Sequence, residues 1–348
     1  MNFMRGPAHH LLLVALAALA CGGDASGPAD PDAGFPDPGA GPHFTVLPVP
    51  IETIARITAL GYNNNVFPTP HTYWLTCDVD VWLNSGRPCH RERQPIRAPR
   101  DGVILDMLAI DDGFLRIEGP PGLVWTFGHV TPAAGLAAGN TVSAGQPIAT
   151  MHQEHGFDFG LTNYGLDRDY VVQERYNHGY LYGEHPIAQF PEPQRSQLTA
   201  LVQTTGAADP LGSLDFDVPG TAAGGWFLPG VPEQNSLQIG YDHLWLWLGR
   251  FTERPATRVA SFGEKWTGMQ NFIFAVDSAA PSWETITPAS GAVAFKLWNL
   301  AASAEPNYTW PGGTLLLEMP DAMHLRMQWF STHEPVAGFT SAAKLFSR

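Results

Sequence analysis

Apolar positions along this chain recur in short runs, and the period is mostly two. From Phe44 to about Leu166, Val103–Leu108 follows the turn dipeptide Asp101-Gly102, and Phe114–Glu118 alternates apolar with polar. Leu123–Val130 is an aromatic-rich run between Pro120-Pro121-Gly122 and Thr131-Pro132, and Val142–Met151 follows another glycine-bounded loop. Such spacing predicts strands. Gln194 to about Gln203 carries Leu198, Leu201 and Val202 at helical spacing, so a short helix is expected there, broken by Thr204-Thr205-Gly206. Strands are then expected at Ser213–Asp217, Leu237–Tyr241, Leu244–Leu248, Asn271–Val276, Ala292–Trp298, Thr314–Met319 and His324–Phe330. In the third of these Trp245 and Trp247 share one face and Leu244, Leu246 and Leu248 the other, so both faces must be covered. Short strands between Gly and Pro turns make a β-sandwich or small β-barrel of the C-terminal part. The chain is read as all-β.

Composition supports this. The 36 Gly and 31 Pro among 348 residues interrupt long helices, and 44% hydrophobic residues suffice for a core. Lys+Arg 19 against Asp+Glu 33 leaves a net charge of −14, which argues against a nucleic-acid partner. No GxGxxG, P-loop, G-x-S-x-G or HExxH is present. Arg5 precedes an apolar run, Leu11–Ala20, too short to span a bilayer but suited to a signal peptide at 1–20. The run ends at Cys21 and resembles a bacterial lipobox, which implies lipidation of Cys21 and attachment to a membrane. Residues 21–42, rich in Gly, Pro and Asp, form an acidic tether with little to bury. Export suits a disulfide between Cys77 and Cys89; a reduced or metal-binding pair is the alternative, although their spacing matches no zinc ribbon. The Trp residues of the second half are read as core, with exposed Trp stacking on glycans as the competing reading.

Four segments then carry a resemblance. Pro95-Ile96-Arg97-Ala98-Pro99-Arg100-Asp101-Gly102-Val103-Ile104 resembles the "pVxAPxdGxV" segment of lysostaphin-type (LytM-like) zinc peptidases. Trp125-Thr126-Phe127-Gly128-His129-Val130 resembles their "YxHL" strand, and Gly139–Ala149 their "GdxVxaGqxIg". Gly156-Phe157-Asp158-Phe159-Gly160-Leu161 falls where the family has "HLHFxx". The resemblance implies a peptidase-like domain at 43–170, a connector at 171–205 and a separate β-domain at 206–348. Leu60–Val66, Pro68–Trp74 and Glu184–Pro191 resemble a divergent group of exported proteins with this fold, whose first histidine sits in "PTxHxYf".

In the family a histidine and an aspartate four residues later bind zinc together with the second histidine of HxH. Here the resemblance implies His71 and Asp158 as metal ligands and His129 as the surviving catalytic histidine. The aspartate position is Leu75 and the HxH positions are Gly156 and Asp158, so the pattern is incomplete. Asp78, Asp80, His152 and His155 are nearby candidates to complete a site; His178 and His185 read as surface or packing residues. The competing reading keeps these side chains for hydrogen bonding alone. The resemblance implies an envelope lipoprotein, periplasmic or surface-facing, acting as a zinc-dependent endopeptidase on peptidoglycan or protein. The alternative is a non-catalytic module that binds cell-wall peptide, glycan or an envelope protein.

Overall fold

The computed structural model describes residues 37–39, 41–63, 65–77, 92–110, 112–153, 155–237, 242–263, 273–300 and 306–348. The signal segment, Cys21, most of the tether, Asp78, Asp80 and Cys89 lie outside them. Among the described residues no helix is long and apolar enough to cross a membrane.

Among the described residues, seventeen strands make two bodies. The first is a nine-stranded sheet. Its strands are β1 (Arg56–Ile57), β2 (Thr72–Leu75), β3 (Pro95–Arg97), β4 (Gly102–Leu108) and β5 (Gly113–Glu118), then β6 (Leu123–Pro132), β7 (Thr141–Val142), β8 (Pro147–Met151) and β9 (Gly156–Asn163). The order is β1-β2-β9-β6-β5-β4-β7, with β8 pairing both β3 and β6. The run expected as one strand at Val142–Met151 is two, β7 and β8, separated by a turn at Gly145, which has φ +81°.

The second body is a closed barrel of β10 (Gly224–Phe227), β11 (Trp245–Phe251), β12 (Arg254–Phe262), β13 (Ile273–Val276), β14 (Val293–Leu300), β15 (Pro306–Asp321), β16 (His324–Phe330) and β17 (Lys344–Ser347). Each strand pairs antiparallel with the next, and Phe227↔Ser347 closes the ring, so no edge is left open. The fold is therefore β-rich, as the patterning predicts, and of the two C-terminal architectures the barrel is the one formed. Ser213–Asp217 is not a strand: the Asp215 N–H donates to Ser213 Oγ at 2.9 Å, a local turn that competes with ladder pairing. The short helix forms at Gln194–Thr199, shorter than expected.

β11 is buried over Trp245–Gly249, so the two-faced pattern read from the sequence holds. Leu246 and Leu248 fill the barrel with Phe262, Phe295, Leu315 and Met327. Trp245 and Trp247 point outward into a separate core with Leu60, Phe67, Tyr176 and Leu214, which joins the barrel to the sheet body. Arg56 pairs with Glu253 across the same junction, and Asn63 Oδ1 accepts the Thr252 N–H at 2.8 Å. The described Trp side chains are buried or half-buried, Trp226 and Trp283 completely, which fits the core reading. Trp266 and the side chain of Trp310 lie outside the described residues.

Candidate functional site

The centre of the sheet alternates sharply by face. Along β9, Phe157, Phe159 and Leu161 enter the main core, while Gly156, Asp158 and Gly160 face the other way. Asp158 stands between Tyr73 of β2 and Gly128 of β6 in the ladder. His71 precedes β2, and Gly160 leaves room for it: a Cβ there would already touch His71 Cβ at 3.4 Å. His71 is 6% exposed and Asp158 2%.

His129 arrives by a different device. β6 pairs with β9 up to Gly128 and with β8 from Val130, so His129 sits where one strand changes partner. On its other side Gly113 opposes Val130 and Phe114 opposes Gly128, which leaves His129 bulged out of the ladder with φ +57°. A bulge of this kind re-aims one side chain. A non-glycine residue held there costs about 1–2 kcal/mol, so the surrounding pairing must impose it. Asp112, at φ +61°, precedes β5 and meets His129 with Oδ1 2.6 Å from Nδ1.

The structure thus brings His71, His129 and Asp158 together. Asp158 Oδ2 lies 3.3 Å from His71 Nε2 and 3.6 Å from His129 Nε2. Yet neither Asp158 oxygen makes a hydrogen bond, although the side chain is buried. A buried carboxylate without hydrogen bonds is costly unless something else neutralises it. Ligand atoms about 2.0–2.2 Å from a tetrahedral zinc stand about 3.4 Å apart, close to both contacts. Two imidazoles and one carboxylate are also a donor set that zinc accepts. His71, His129 and Asp158 are donor types that zinc accepts, brought near one another but not arranged as a metal-holding group. Among the described residues no group of three or more His, Cys, Asp and Glu side chains could hold a metal ion.

The two departures from the family pattern are one local change. Gly156 pairs directly with Leu75, and a Cβ on Gly156 would lie 2.4 Å from Trp74 O and 3.1 Å from Leu75 Cδ2. No side chain fits at 156 on this backbone, and leucine occupies the adjoining space. His152 and His155 do not complete the site by their rings. His152 donates its backbone N–H to His129 O at 2.9 Å, and the carbonyl of His155 accepts from Thr76 at 2.9 Å, so this loop props the bulge. Gln153 Nε2 lies 3.4 Å from His129 Nδ1. Asp78 and Asp80 lie outside the described residues. Cys77 is buried and disulfide-bonded, while its expected partner Cys89 lies outside them. His178 is half-buried, and its Nδ1 meets the Tyr164 hydroxyl at 3.0 Å. His185 is buried; its Nδ1 accepts from Ile187 and its Nε2 donates to Thr58 O, and burial pushes its pKa down to about 3. Asp112 is the functional candidate that sequence reasoning passed over. Its only signal in the sequence was the dipeptide Asp112-Gly113, which enters β5.

No protein-family model matches the chain, and no curated protein does. Among solved structures it is similar to Csd3 of Helicobacter pylori, with 19% identity over 36% of this chain and 31% of that one, at a TM-score of 0.27. It is similar also to the catalytic domain of the prophage-encoded M23 protein EnpA from Enterococcus faecalis, with 14% identity, 42% and 94% coverage and a TM-score of 0.26. A third is the M23 metalloprotease pseudoalterin from the deep sea, with 13% identity, 40% and 78% coverage and a TM-score of 0.25. The chain spans about a third of the length of Csd3. At such TM-scores the likeness carries no weight for function.

Proposed function

We propose that this chain is an exported envelope lipoprotein, anchored through Cys21, whose sheet body is a reduced metallopeptidase-like hydrolase. Its substrate would be a peptide bond of peptidoglycan or of an envelope protein. The observation that carries this reading is the buried Asp158 carboxylate, set between two imidazole nitrogens at 3.3 and 3.6 Å and hydrogen-bonded to neither. His71 and Asp158 would hold a zinc ion, with His129 as a third donor or as the proton carrier beside it. Zinc, when bound, supplies Lewis acidity toward a carbonyl oxygen and lowers the pKa of bound water. Asp158 contributes the negative charge that favours a cation in a buried place. His71, packed edge-on to Tyr73 with ring centroids 5.1 Å apart, is held against reorientation. His129 is the more exposed imidazole, with 11% of its side chain open, and is the group placed to pass a proton to a substrate nitrogen.

A second reading is favoured by Leu75 and Gly156. With leucine at the aspartate position and no room for a side chain at 156, the body could bind envelope peptide without cleaving it. Incubating the purified chain with isolated peptidoglycan and with unfolded protein, with and without a chelator, separates the two. The hydrolase reading expects new amine termini that chelator and Asp158→Asn both abolish. Binding without any new termini in zinc-supplemented buffer would leave the second reading standing.

A further inference from the structure

His71 faces the sheet, but the segment that carries it is tied to the barrel. That segment runs from Leu60 to the start of β2, with no helix or strand among its described residues. Its buried side chains Val66 and Phe67 enter the junction core with Phe227, Trp245 and Trp247 of the barrel. Phe67 stacks on Phe227 with ring centroids 5.6 Å apart and meets Trp245 edge-on at 5.7 Å. Polar contacts repeat the attachment at the turn between β11 and β12. The Thr252 N–H donates to Asn63 Oδ1 at 2.8 Å, and the Thr252 hydroxyl donates to Gly61 O. Asn63 is buried, and Gly61, at φ +79°, has no room for a Cβ, which would lie 2.6 Å from Ser213 O. From these ties the segment folds back toward His71. The Gly61 N–H donates to Thr69 O and the Thr69 N–H to Tyr62 O, both at 3.0 Å, and Thr69 Oγ1 donates to His71 O at 3.2 Å. Tyr62 completes a line of rings, 6.4 Å from Phe251 of β11 and 5.9 Å from Tyr73, which packs edge-on to His71.

We propose that the barrel is a positioning module for the sheet: Thr252, Asn63 and Phe67 are positioning residues that hold the 60–71 segment so that His71 stands 3.3 Å from Asp158. The physical reason is conformational entropy. A segment without regular structure has many conformations, and a side chain at its end keeps one place only if the segment is tied along its length. The β2–β9 ladder begins at Thr72, paired with Phe159, and so stops short of His71. The barrel supplies the missing ties, one apolar and one polar, from strands locked in a closed ring. All three residues act through His71 rather than on reacting atoms. The consequence for hydrolysis rests on the function proposed above; the placement of His71 does not.

The test is the reaction of the full chain with diethyl pyrocarbonate, which modifies accessible imidazoles, read histidine by histidine by mass spectrometry of peptides. Asn63→Ala combined with Thr252→Ala removes the polar tie, and Thr252→Ser alone keeps the hydroxyl. Phe67→Leu loosens the apolar tie without emptying its pocket. His185, buried in the sheet body, is the reference. His71 should react about 10-fold faster in the double variant and in Phe67→Leu, the size expected of a local opening once a hydrogen bond or its packing equivalent is lost. Thr252→Ser, and His185 in every variant, should keep the native rate. Should the double variant not fold, Phe67→Leu decides alone. An unchanged His71 rate in the loosened variants overturns the proposal. So does an equal rise at His71 and His185, which would mark a general loss of stability rather than the placement of one side chain. Where the native chain releases new amine termini from peptidoglycan, the double variant should release them about 10-fold more slowly with KM unchanged. A native chain that releases none but shows the expected His71 rates sinks the hydrolase reading and leaves the role of the barrel intact.

Discussion

Two buried carboxylates in this molecule find different partners, although in each the closest charged contact is an ion pair rather than a hydrogen bond. Near the barrel seam, Asp217 and Arg348 are almost wholly buried and meet at 3.0 Å. Asp217 Oδ2 also takes the Val171 N–H at 3.0 Å, and Arg348 Nη2 donates to the carbonyls of Thr221 and Ala223 at 2.6 and 2.7 Å. Burial pushes the Asp217 carboxyl up and the Arg348 guanidinium down, and each opposes the other's shift in part. In the sheet, Asp158 is as deeply buried, but its contacts are with imidazoles at 3.3 and 3.6 Å and none is a hydrogen bond. The first arrangement holds the C-terminal strand to the barrel. The second is an ion pair with His71 and a longer approach to His129, with no hydrogen bond to support either.

The largest expected effect follows from breaking the seam. Arg348→Leu leaves Asp217 buried and unpaired, and urea unfolding should show a loss of about 3–5 kcal/mol. Adding Asp217→Asn should recover much of it; a single variant as stable as the native chain would contradict the account of the seam.

His185 gives the next effect, and its sign is set by linkage. Its folded pKa of about 3 lies below the usual histidine value of about 6.5, so between those pH values the unfolded chain binds the extra proton. Its contribution is fully present above pH 6.5 and is lost toward pH 3, at about 1.4 kcal/mol per pH unit, or about 2 kcal/mol by pH 5. His185→Asn keeps an acceptor for the Ile187 N–H and cannot titrate. Its stability should fall less steeply between pH 6.5 and 5 than that of the native chain, and parallel curves would refute the assignment.

The smallest shift is the most telling for the comparison. In metal-free protein, Asp158→Asn should leave stability unchanged or raise it by about 1 kcal/mol, because a buried charge without hydrogen bonds is removed. A large loss on thermal unfolding would place Asp158 with Asp217 as a structural charge.

Much of this molecule was legible in its residues. Period-two runs bounded by Gly and Pro located most strands, and the doubly apolar β11 revealed a strand covered on both sides. β10 was missed because Gly224-Gly225 weakens its apolar pattern, and β12 because it opens on Arg254-Pro255. His71, His129 and Asp158 were legible through segments in a recognisable order. Asp112 was not, because its contact depends on where β6 bulges and changes partner, and register is a property of the pairing rather than of any local run. Nor could the pattern say that Leu75 and Gly156 are a single change; only the ladder puts them opposite one another.

The central claim is that Asp158 is buried for a cation. Elemental analysis of the purified full chain after zinc loading and gel filtration tests it directly, with His71→Ala and Asp158→Asn alongside. One zinc per native chain, lost in both variants while they remain folded, is the result expected. A folded native chain that holds no zinc after loading would contradict it.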